Sequence, residues 1–187
     1  VYTINGKLYA FANGKMQRNG TVTDHGKNYL CLSDGSLIYL SKAGWNYADS
    51  NWYYVKNDQL LKNCISKIGA DYYAFDSDGK MQSNTLFILT GNDQAISCFA
   101  QNDGKLLTST SINYGSATYY FDAEGKSRSG IQNIDGKQYY LVNGQKRKNE
   151  AFEADGSYYL ADSTGQLKQV TGNNCWQQLG DKWYYIK

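Results

Sequence analysis

Apolar residues in this chain come in short ring-rich runs, each followed by a polar turn and a shorter apolar return. The clearest copy is 68–84, I-G-A-D-Y-Y-A-F-D-S-D-G-K-M-Q-S-N. Tyr72-Tyr73-Ala74-Phe75 has the composition of a strand. In the turn Asp76-Ser77-Asp78-Gly79, Gly79 can take a positive φ at no steric cost. Lys80-Met81-Gln82 can return antiparallel, so the pattern predicts a β-hairpin. One hairpin of this size is not stable alone in water and must stack on others.

The chain supplies the others. Copies fall at 4–19, 24–40, 44–63, 68–84 and 90–107, then around Tyr119-Tyr120-Phe121, at 131–149, around Tyr158-Tyr159-Leu160, and from Trp176 onward. Turn glycines at Gly14, Gly35, Gly79, Gly104, Gly125, Gly144 and Gly165 set a repeat of roughly twenty residues. The third copy has Lys56-Asn57-Asp58 at its turn, so Asn57 or Asp58 stands in for glycine. A second glycine often precedes the aromatic strand, as at Gly26-Lys27 and Gly136-Lys137. No helical apolar period competes. The reading is all-β, with 1–187 a single array of about nine stacked hairpins, each touching mainly its neighbours. The ninth copy stops at Lys187 before a return strand and is expected to fray or to act as a cap.

Composition sharpens this picture. There are 18 Tyr and 19 Gly but no Pro, so burial falls largely to aromatic rings, which cover much area and keep a polar edge. The net charge of +2, from 19 basic and 17 acidic residues, lacks the concentrated basic face of a nucleic-acid binder. No apolar run reaches membrane-spanning length. The chain begins at Val1 inside repeat-like sequence without a leader, which is read as processing or excision and not as a cytosolic address. Cys31, Cys64, Cys98 and Cys175 form no C-x-x-C pair, and one His leaves no zinc pattern. They read as isolated thiols acting as small buried hydrophobes. A Cys31–Cys98 disulfide is the alternative if three hairpins complete one turn of a spiral.

The pattern G-K-x-Y-Y-F-D-x-x-G-K-M, clearest at 70–81 and looser at 116–127 and 135–146, resembles the choline-binding or cell-wall-binding repeats of Gram-positive surface proteins. Glucan-binding repeats of bacterial glucosyltransferases and the C-terminal repeats of clostridial toxins look similar. The resemblance covers essentially the whole chain. It implies a β-solenoid, a spiral of hairpins with ligand sites between successive hairpins. It also implies a secreted, cell-surface module that is not an enzyme and needs no cofactor. Its partner would be choline on wall teichoic acid or a polysaccharide, with a host glycan or protein as alternatives; a structural spacer or adhesion surface with no small ligand is the remaining reading.

Choline-binding members carry G-W before the strand and W-Y-Y within it, present here as Gly44-Trp45 and Trp52-Tyr53-Tyr54. By that resemblance Trp45, Trp52 and Tyr73 wall an aromatic pocket with Met81 at its base. Trp176, Trp183 and Tyr185 repeat the pattern, without a following hairpin to close it. The other copies lack both tryptophans. Strand alternation favours Tyr73 over Tyr72 as the pocket residue.

A quaternary ammonium needs only ring faces, each good contact giving roughly 0.5–2 kcal/mol. A sugar stacks on the same rings but needs polar groups as well, and Asn46, Asp49, Asn51 and Lys56 flank the tryptophans. Asp76, Asp78, Asp122 and Glu124 read as ordinary turn residues, since neither EF-hand spacing nor a calcium-binding repeat is present. His25 lies in an Asp-His-Gly turn, and no nucleophile motif accompanies it.

Overall fold

The computed structural model describes residues 1–40, 43–91, 94–172 and 174–186. Residues 92 and 93 of the fifth copy and 187 of the ninth lie outside the described set. The described residues form 24 strands, from Tyr2–Ile4 to Lys182–Ile186, and no helix. The strands join in sheets of two or three.

A complete repeat has three parts. A first strand enters a two-residue turn, the aromatic strand returns beside it, and a short third segment folds back on the aromatic strand. In one repeat these are Gly44–Ala48, Asn51–Lys56 and Gln59–Leu60, with Trp45 opposite Tyr54 and Asn46 opposite Tyr53. In the next they are Cys64–Ile68 and Asp71–Phe75, with Ser66 opposite Tyr73 and Met81 bridged to Phe75.

The hairpin read from sequence, the aromatic run with the segment after it, is formed, as Leu30 opposite Ile38 and the Phe75–Met81 bridge show, but a second and longer pairing was not read. The long ladder is with the segment before it, and the turns explain why. Asn5-Gly6, His25-Gly26, Asp135-Gly136 and Asp155-Gly156 hold positive φ at both positions. That conformation matches the twist of two strands joined by two residues. The segment after the aromatic strand leaves through a wider, bulged turn that supports few ladder positions. There Gly79 donates to Asp76 O at 3.0 Å and Asp76 donates to Lys80 O at 3.0 Å. The Asp76 carboxylate also accepts from the Asp78 and Lys80 amides, each at 2.9 Å. In the third copy Asn57 and Asp58 both take positive φ, 51° and 59°.

Two compact units result: Val1–Leu89 with Phe99–Leu106, and Thr90–Cys98 with Leu107–Lys187. Within each, the return segment of one repeat bonds to a neighbouring repeat. In the first unit Met81 donates to Trp52 O and Leu106 to Tyr72 O, both at 2.8 Å; in the second Tyr120 donates to Gly144 O at 3.0 Å. The first unit buries Leu30, Leu40, Ala48, Tyr53 and Val55 in one cluster. The second buries Leu160, Val170 and Ile186, with Tyr158 and Tyr184 packed against them. Phe75 and Phe121 are at most 1% exposed, so rings carry the burial that aliphatic residues carry elsewhere.

One ladder position is occupied by tyrosine in repeat after repeat. Tyr29, Tyr53, Tyr73, Tyr139, Tyr159 and Tyr184 each stand third past the two-residue turn. All four cysteines are free thiols, so the Cys31–Cys98 disulfide is not formed. Cys31 and Cys98 are buried, and burial pushes the Cys98 thiol up to about 12. Among the described residues no helix is long and apolar enough to cross a membrane.

Candidate functional site

The first unit holds an open pocket of about 330 Å³ lined by Trp45, Trp52, Tyr73, Met81 and Asp103. Strand alternation builds its first wall. Tyr53 and Val55 point to the core at 0% and 2% exposure, which sends Trp52 and Tyr54 to the other face. Trp45 stands opposite Tyr54 on the partner strand. Its ring meets Trp52 at 6.1 Å and 86°, Tyr54 at 5.0 Å and 78°, and Tyr73 at 4.9 Å and 73°. All three are edge-to-face arrangements, which favour ring pairs beyond their area of burial. Tyr47 braces Trp52 from outside at 5.0 Å. The indoles are thus fixed in place while Trp45 remains 38% and Trp52 44% exposed.

The next repeat supplies the other side. Tyr73 reaches the pocket, whereas Tyr72 lies under the Lys67 ammonium at 5.6 Å. Met81 is pinned by its backbone bond to Trp52 O. Its side chain packs on the following turn so closely that a Cβ on Gly104 would lie 2.3 Å from Met81 Cε. Gly104 also holds a φ of 83°, so both its conformation and its lack of a side chain are used.

That turn brings in Asp103, which the sequence reading missed. Asp103 Oδ1 accepts from the Lys105 amide at 3.0 Å. The Lys105 ammonium lies 3.1 Å from the Asp71 carboxylate and 3.9 Å from that of Asp103. The hydrogen bond that the Lys105 ammonium donates to Asp71, together with that carboxylate's charge, raises the Lys105 pKa. Burial, followed by the charge of Asp71, raises that of the Tyr73 phenol.

The second tryptophan hairpin has the same register, with Trp176 opposite Tyr185 and Gln178 opposite Trp183. Trp176 meets Tyr185 at 5.2 Å. Trp176 and Trp183 are 62% and 60% exposed, well above their counterparts at 45 and 52, and Tyr185 is 44% exposed.

The polar residues flanking the first pair have other roles. Asn46 Nδ2 donates to Gly44 O at 3.0 Å and Asn51 Nδ2 to Asp49 O at 2.6 Å, so both amides fasten their own strand ends. The Asp122 carboxylate accepts from the Glu124 and Lys126 amides, as Asp76 does in its own turn. No group of three His, Cys, Asp or Glu placed to hold a metal occurs among the described residues. His25 is 91% exposed in its turn, with Nδ1 at 3.0 Å from Asp24.

Comparison with known proteins points at the same two hairpins. The family model described as "Putative cell wall binding repeat" matches residues 43–58 and 175–187. Glucosyltransferase-I of Streptococcus downei is 30% identical over 191 residues, 99% of this chain and 11% of that protein. Glucosyltransferase-S of Streptococcus mutans serotype c is 27% identical over 177 residues, 93% of this chain and 11% of that protein. The chain therefore spans about a tenth of the length of these curated relatives. Among solved structures it is similar to CbpJ from Streptococcus pneumoniae TIGR4, 20% identical with a TM-score of 0.48, covering 100% of this chain and 71% of that one. Two stretches of this chain, 43–58 and 175–187, thus match the cell wall binding repeat.

Proposed function

We propose that this chain is a non-catalytic module that seats a quaternary ammonium group, such as choline on wall teichoic acid, between Trp45, Trp52, Tyr73 and Met81. By this reading it holds a secreted protein at a bacterial cell surface, and Trp176, Trp183 and Tyr185 form the wall of a second such site. The observation that carries the reading is the pocket itself: Trp52 and Tyr73 each braced edge-to-face by Trp45, with a thioether, around an open space. Such a cage suits a cation that makes no hydrogen bonds, because ring quadrupoles supply the attraction.

The second unit offers an internal parallel. Lys146 stands opposite the buried Leu141, as Met81 is bridged to the buried Phe75. Its ammonium lies 3.3 Å from the centroid of Tyr139, the tyrosine at the ladder position of Tyr73, and 5.3 Å from that of Tyr120. The gap between repeats there accommodates an ammonium supplied by the chain itself.

One site of this kind binds weakly, and linked sites raise the avidity. Titration with choline chloride is expected to change tryptophan fluorescence saturably at millimolar concentration. Trp45→Ala should weaken the affinity about tenfold or more, the worth of one good ring contact with its packing. No fluorescence change at millimolar choline overturns the reading.

A glycan ligand is the second reading, favoured by the likeness of 93–99% of the chain to glucosyltransferases. Against it, the Asn46 and Asn51 side-chain amides donate to backbone carbonyls, which leaves Asp49, Lys56 and Asp103 as the groups to fix sugar hydroxyls. Retention on dextran unaffected by Trp45→Ala would place glycan binding elsewhere on the chain.

A further inference from the structure

We infer that Asp103 reads the charge of the ligand, selecting a small organic cation over a neutral molecule of the same shape. The inference rests on the cage reading above and adds a specificity-determining residue to it.

Of the residues lining the pocket, Asp103 alone carries a formal charge. Its surroundings leave that charge incompletely balanced. Asp71, Asp103 and Lys105 form one group, two carboxylates to one ammonium, with a net charge of −1. The ammonium sits with Asp71, at 3.1 Å against 3.9 Å for Asp103. Tyr73, whose phenol feels all three, is neutral at ordinary pH. A ligand cation against the rings would complete the set.

The carboxylate is held in place. Asp103 Oδ1 accepts from the Lys105 amide at 3.0 Å, Gly104 donates to Gln101 O at 2.9 Å, and the turn rests on Met81. Lys105 is itself bridged to Tyr73, which couples the turn to the cage wall. The same turn position in the preceding repeat shows what else it can do. There Asp78 O accepts from Thr21 Oγ1 at 3.4 Å and tethers the earlier hairpin. Thr21 is the ladder counterpart of Trp45, so no such tether is available to Asp103, and its turn faces the indoles instead.

The test compares choline with 3,3-dimethyl-1-butanol, its neutral carbon isostere, by calorimetry on the unmodified chain, Asp103→Asn and Trp45→Ala. Asn keeps the Oδ1 acceptor, so the turn is preserved, and unchanged circular dichroism confirms it. Asp103→Asn should weaken choline about threefold, the range of a solvent-exposed charge pair, and leave the isostere unchanged. Asp103→Glu should retain most of the preference. If Trp45→Ala abolishes choline binding while Asp103→Asn leaves the ratio of the two affinities unchanged, the cage stands and the role of Asp103 falls. If neither ligand binds the unmodified chain, both fall.

Discussion

Tyr53 and Tyr73 occupy the same ladder position in adjoining repeats, yet their surroundings are opposite. Tyr53 is fully buried in the cluster of Leu30, Leu40 and Val55, and its hydroxyl has no hydrogen-bond partner among the described residues. Burial, reinforced by the nearby carboxylates of Asp49, Asp76 and Asp78, pushes its phenol up to about 12. Tyr73 instead lines an open pocket. The preceding repeat makes the difference. Where Trp45 and Trp52 stand before Tyr73, the ladder puts Thr21 and Asn28 before Tyr53. Asn28 accepts from Thr23 Oγ1 at 2.8 Å and donates to Asp58 O at 2.9 Å, drawing the next turn in. Two small polar residues tie the gap shut, while two indoles prop it open. The backbone of the repeat is constant, and two side chains decide whether it makes core or cage.

The largest expected effect comes from exchanging those side chains. Trp45→Thr with Trp52→Asn converts the cage into the closed type and should remove choline binding at this pocket, a loss well beyond about tenfold. Calorimetry checks it, and binding that survives with unchanged stoichiometry breaks the comparison.

A smaller effect is expected at the closed gap. Leaving a buried hydroxyl unpaired costs about 1–3 kcal/mol, so Tyr53→Phe should stabilise the first unit by about 1 kcal/mol in urea unfolding. Destabilisation by a similar amount would mean that the hydroxyl has a partner.

A further effect is alkaline. The fold favours the neutral Tyr53 phenol, whose pKa is raised from the usual 10.0 to about 12. Its contribution is therefore whole below about pH 10 and is lost as the pH rises toward 12. Stability should fall across that window, and Tyr53→Phe should flatten the fall. Equal slopes in the two proteins would count against the buried phenol.

Repetition made much of this legible. The all-β class follows from eight ring–turn–return copies and a ninth that stops after its ring run, and the tryptophan hairpin from Gly44-Trp45 and Trp52-Tyr53-Tyr54. Alternation within a strand favoured Tyr73 over Tyr72, and it is Tyr73 that lines the pocket. The long ladder was less visible because first strands such as Cys64–Ile68 mix polar and apolar residues and carry no ring. The signal for it lay in the glycine before each aromatic strand, a two-residue turn. Asp103 was missed for a different reason. It looks like every other turn aspartate, and only the packing of a repeat two places downstream brings it to the tryptophans. The contrast of Tyr53 with Tyr73 is equally nonlocal, since both stand in a Tyr-rich strand and the preceding repeat decides their fate.

The most direct measurement is a crystal structure determined with choline at saturating millimolar concentration. The account predicts a trimethylammonium group within about 6 Å of the Trp45, Trp52 and Tyr73 ring centroids, with the Asp103 carboxylate facing it. A cage left empty under those conditions, with Trp45 and Trp52 unmoved, would contradict it.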